Sequence, residues 1–128
     1  MIGKTIKALL VSDVTLTALV PATKIFPYVM NEDTPLPAIV YTIDQLIADY
    51  NKTAWANDSV AFTVRSFHSD YALLQPIVSA VRGAIELKYT GSGTQDINKI
   101  VLSDFQEGYD PVGVFFNYLT FKVTVNSY

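Results

Sequence analysis

The sequence predicts an α+β domain: an antiparallel sheet of about four main strands, with an N-terminal helical segment and one long helix packed on one side. Three observations carry this. Val60, Phe62 and Val64 alternate with Ala61, Thr63 and Arg65, the period of a strand with one buried face, whereas beyond Ser69 and Asp70 the apolar spacing lengthens to three and four through Leu74, Val78, Val81 and Ile85. A strand therefore gives way to a helix that can lie back on it. Strand-like stretches also run from Ala38 to Tyr50 and from Val114 to Val125. Finally, 128 residues of which half are apolar and 16% charged make one core and one domain, residues 1–128, and exclude a disordered chain.

Taken in order, Ile2, Ile6, Leu9 and Leu10 share a helical face, and Ser12 and Asp13 break it and cap a second short helix that Pro21 ends. Lys24 to Tyr28 is a short extended piece, because Pro27 pushes Phe26 out of the helical region. Met30 to Pro37 is a loop. In the strand from Ala38 to Tyr50, Ile39, Tyr41 and Ile43 face one side and the phase slips before Leu46, which predicts a bulge or bend near Gln45. Asn51 to Asp58 is the hairpin loop joining it to the central strand, with Trp55 either folded over the sheet edge or exposed for a partner. Ser69 is the expected N-cap of the long helix, and Pro76 predicts a kink or a late start near Gln75. Tyr89 to Asn98 is a flexible loop, a strand follows from about Ile97 to Glu107, and Gly108 to Gly113 is the turn. The last strand carries Val114, Phe116, Tyr118, Thr120, Lys122 and Thr124 on one face and Phe115, Leu119, Phe121, Val123 and Val125 on the other. Apolar side chains on both faces predict cover from two sides or a neighbouring subunit.

The chemistry is mostly one of exclusions. A formal charge of −3 and the lack of any basic run argue against nucleic-acid binding. No cysteine is present, which removes disulfides and thiolate metal sites. Neither a signal-type apolar core nor a run long enough to span a membrane is found, so a soluble, unexported protein without a membrane partner is expected. His68, the single histidine, stands at the end of a strand, where a structural role is expected rather than catalysis. Asp104, Glu107 and Asp110 lack the glycine and ligand pattern of a calcium loop and read as a solvated acidic turn. Arg82 and Glu86, one helical turn apart, form an exposed pair. No enzyme, metal or cofactor is expected.

The order of elements, with Ile2-Gly3-Lys4-Thr5-Ile6-Lys7-Ala8-Leu9-Leu10, Leu19-Val20 leading to Lys24-Ile25-Phe26-Pro27, Leu36-Pro37-Ala38-Ile39-Val40-Tyr41, Val64-Arg65-Ser66-Phe67, Tyr71 and Ala80-Val81-Arg82, resembles the tail-completion proteins of long-tailed bacteriophages. That group includes head-to-tail joining and tail-terminator proteins, and the resemblance covers nearly the full length. Two departures are Lys24, where an arginine is frequent, and Pro76, inside a helix otherwise written with helix formers. The resemblance implies a non-enzymatic virion protein of the tail-neck region, in the host cytoplasm during assembly. It would close into a hexameric ring on the tail tube and meet the head connector, with DNA passing through unbound.

Such a ring needs two different patches per subunit. Trp55 and Tyr50, at the hairpin, and Phe116 and Tyr118, on the last strand, are the candidate interface residues. Asp44, Asp49, Asp104 and Glu107 are candidates for a lumen that repels phosphates within a Debye length of about 8 to 10 Å. Two alternatives stand beside this one: another neck or minor tail structural protein, and a small-molecule-binding α+β domain with a pocket lined by Tyr and Phe.

Overall fold

Asp13 splits the N-terminal helical segment as its composition predicts: its side chain accepts from the Leu16 N–H and caps a second helix. The computed structural model describes residues 2–29, 35–50, 56–86, 90–92, 95–97 and 100–127. In it the chain runs α1 (Ile2–Ser12), α2 (Val14–Leu19), a 3-10 turn (Ala22–Lys24), β1 (Ile25–Pro27), β2 (Ala38–Tyr50), β3 (Ala56–His68), α3 (Tyr71–Ile85), β4 (Thr90–Ser92), β5 (Gln95–Ile97), β6 (Val101–Asp110) and β7 (Val114–Ser127). Lys7 turns back to donate to the Ala22 and Ile25 carbonyls, which ties α1 to the start of β1.

Four long antiparallel strands, β2, β3, β7 and β6, make the body of the sheet, with helices packed against it. Two features differ from the expected sheet. The piece around Phe26 pairs parallel to β2, so the sheet is mixed. Part of the predicted loop from Tyr89 to Asn98 forms the small hairpin β4–β5, which continues the sheet beside the end of β7. Along this path the order is β1-β2-β3-β7-β5-β4, with β6 also paired to β7.

The bulge expected near Gln45 is present: register shifts between Ile43 and Gln45, and Asp44 is the extra residue. Three boundaries move. Ala56 to Asp58 belong to β3 rather than to the hairpin loop. Asp70, not Ser69, caps α3, accepting from the Ala72 N–H, and α3 starts at Tyr71 despite Pro76 because this cap and buried Leu74, Ile77 and Val78 hold its first turns. The strand predicted to end at Glu107 continues to Asp110, and the turn is confined to Pro111–Gly113, where Gly113 has φ +97° and donates to the Asp110 carbonyl.

The core lies between the sheet and the helices. Ile6 and Leu10 of α1, Leu16 of α2, and Leu74, Val81 and Ile85 of α3 are fully buried against Ile39, Phe62, Val64, Leu119 and Phe121 of the sheet. Phe62 and Phe121, opposite one another in register, stack at 5.4 Å between ring centroids.

Candidate assembly surfaces

Strand parity divides the sheet into a helix-covered face and a second face on which no helix lies among the described residues. Three adjacent cross-strand rows lie on that second face. Thr42, Thr63, Thr120 and Asp104 form the middle row; Arg65, Tyr118 and Gln106 the next; Phe67, Phe116 and Gly108 the one beyond.

The middle row is a hydrogen-bonded network. Asp44, which the bulge frees to lean over this face, accepts from Thr42 Oγ1 at 2.9 Å and from Thr63 Oγ1. Since the Thr63 proton goes to Asp44, Thr120, 3.2 Å away, is the donor to Thr63. Arg65 donates to Thr42 Oγ1 and sets its guanidinium 5.0 Å from the centre of the Tyr118 ring. Tyr118 in turn stacks on Phe116 at 4.9 Å and meets Phe67 edge-on at 6.5 Å.

Gly108, expected in the turn, lies within β6. A Cβ there would fall 2.3 Å from the Phe116 ring, so only glycine lets that ring lie across the strand. Gly108→Ala is expected to swing Phe116 off its stack with Tyr118 at a cost of about 1 kcal/mol, because the ring can rotate away. Loss of near-UV dichroism with unchanged far-UV dichroism would register it, and an unchanged aromatic signal would contradict it.

The sequence-predicted residues are thus only partly brought together. Phe116 and Tyr118 are neighbours, both half-buried, on the uncovered face. Tyr50 ends β2, paired in register with Ala56, and Trp55 lies outside the described residues. Asp44 and Asp104 are exposed on the uncovered face, and Asp49 pairs in register with Asn57. Glu107 lies on the opposite face, in register with buried Asn117, and accepts from Tyr71 Oη at 2.8 Å and Gln75 Nε2 at 3.2 Å. His68 accepts the Asp70 N–H through Nδ1 at 3.0 Å, holding the link from β3 to α3. Arg82 and Glu86 form the expected exposed ion pair.

The bond to Glu107 holds the Tyr71 phenol above its usual range, with desolvation and the nearby carboxylate charge adding to it. A raised native value means the neutral phenol is favoured by folding. Its contribution is complete below the unfolded value of about 10 and is lost as pH rises through the native one. Tyr71→Phe is therefore expected to lose less stability than the parent in denaturation series at rising alkaline pH. Equal slopes would contradict this.

Sequence reasoning gave Arg65, Phe67 and Gly108 no part in an assembly surface, although the alternation along β3 already placed Arg65 away from the core. A shallow trough of about 410 Å³ is lined by Gln45, Ile47, Ser59, Ala61, Val101 and Lys122, among others. Among the described residues no group of His, Asp and Glu side chains is arranged to hold a metal ion, and no helix is long and apolar enough to cross a membrane.

No protein-family model and no curated protein sequence matches the chain. The fold does match. A chain in the solved structure of the virion of a native gene transfer agent particle superposes with a TM-score of 0.82, over 95% of this chain and 92% of that one, at 15% sequence identity. At that identity the likeness is one of fold.

Proposed function

We propose that the protein is a structural component of a phage-like virion, acting as a hexameric ring that caps the tail tube and joins it to the head connector. The observation that carries this reading is the near full-length fold match to a chain of a gene transfer agent virion. Tail capping and sixfold closure rest further on the sequence resemblance to tail-completion proteins. The role requires no catalysis and agrees with a chain poor in charge.

In this reading the aromatic end of the uncovered face, Phe116 and Tyr118, meets one of the two partners, tail tube or head connector, and the hairpin of Tyr50 and Trp55, which joins β2 to the opposite end of β3, meets the other. The middle of the same face, with Asp44 and Asp104, looks toward the DNA passage. Glu107, on the other face, is assigned no part in the lumen. Deleting the gene from its phage or prophage genome is expected to leave filled heads and unattached tails of irregular length, restored by expression in trans. Intact, infectious or gene-transferring particles from the deletion strain would overturn the proposal.

A further inference from the structure

The two ends of the sheet are unlike each other in a way that fits them together. At one end α3 lies over β3 and β7 and reaches β6 through side chains, Tyr71 and Gln75 both donating to Glu107. Beyond that contact two aromatic side chains on the helix-side face of β6 stand exposed. Phe105, in the row of buried Val64 and Leu119, is 51% exposed, and Tyr109, which packs on Phe115, is 55% exposed. At the other end β1 is the outermost strand, and the chain leaves it through Tyr28, which has φ +62°. This left-handed turn is uncommon for a bulky side chain and is held by the Tyr28 N–H bond to the Tyr41 carbonyl. It presents Tyr28 at 59% exposure and Val29 at 76%.

Among the described residues, Glu107 shares the helix-side face of β6 with Phe105 and Tyr109, and Lys24 stands immediately before β1. Each end thus sets exposed apolar side chains beside one charged residue, the two of opposite sign.

Resting on the ring reading above, we infer that the subunits join head to tail through these ends, the β1 end of one copy seating Tyr28, Val29 and Lys24 against Phe105, Glu107 and Tyr109 of the next. Two different patches on one chain give the heterologous contact that a ring requires. The seam is made by side chains. Backbone pairing is disfavoured because β1 has three residues, one of them Pro27 without an N–H, and β6 is bulged between Leu102 and Asp104.

The absence of cysteine permits a direct test. The double variant Val29→Cys with Phe105→Cys, treated with a short bis-maleimide, is expected to give a ladder of covalent multimers. The thiols sit at opposite ends of one sheet, so the link cannot form within a chain. Each single variant should stay monomeric on the denaturing gel, and a mixture of the two should stop at dimers. A second pair, Val29→Cys with Tyr109→Cys, should behave alike and guards against one substitution disturbing the fold. Single variants that crosslink as well as the double one, or no ladder from either pair, would overturn the inference. The native mass of the same samples without crosslinker separates the failures. A multimer without a ladder leaves the ring reading standing on other surfaces; a monomer without a ladder counts against both.

Discussion

Replacing Phe62 or Phe121 by alanine is expected to lower stability by about 3–5 kcal/mol. Each ring is fully buried at the centre of the sheet, and each is half of a stacked pair, so truncation removes both buried area and the partner of the remaining ring. The site cannot close easily, because Phe62 and Phe121 are pinned in register on adjacent central strands with the helices above them. As the two residues touch, the double variant should cost less than the sum of the singles. Urea denaturation of the three proteins measures this, and losses under about 1 kcal/mol would contradict the assigned core.

Asn117→Val is expected to act in the opposite sense, raising stability by about 1–3 kcal/mol. Asn117 has no exposed surface, and neither its amide oxygen nor its amide nitrogen meets a hydrogen-bond partner among the described residues. Ser66, directly across in register, has an equally unpaired hydroxyl. Neither finds a protein partner among the described residues, whereas valine suits a strand interior and carries no polar group. A loss of stability on Asn117→Val would show that the amide is paired after all. A double-mutant cycle with Ser66→Ala would then tell whether that partner is Ser66.

What the sequence made legible was what periodicity carries. The change from period two to three and four located β3 and α3, and a slip in phase located the bulge at Asp44. The polar pair at Ser12 and Asp13 marked the break between α1 and α2. What escaped has no period. The β4–β5 hairpin is built of three-residue strands with Gly91 and Ser92 in one of them, and β1 is too short to declare its direction. Gly108 looked like a turn because its reason for being glycine is a ring on the neighbouring strand.

The candidate surface was legible by half. Phe116 and Tyr118, two apart on one strand, had to share a face, and they do. Asp104 and Glu107 were grouped by closeness in sequence, yet residues three apart in a strand point to opposite faces, and these do. The aromatic end of β6 with Tyr71 depended on where α3 stops over the sheet, which no local pattern states.

The mass of the purified protein across a concentration series, by light scattering or native mass spectrometry with images of any large species, tests the assembly role most directly. Closed rings of six subunits are the expected result. A monomer at every concentration, including with purified tail tubes present as a template, would contradict it.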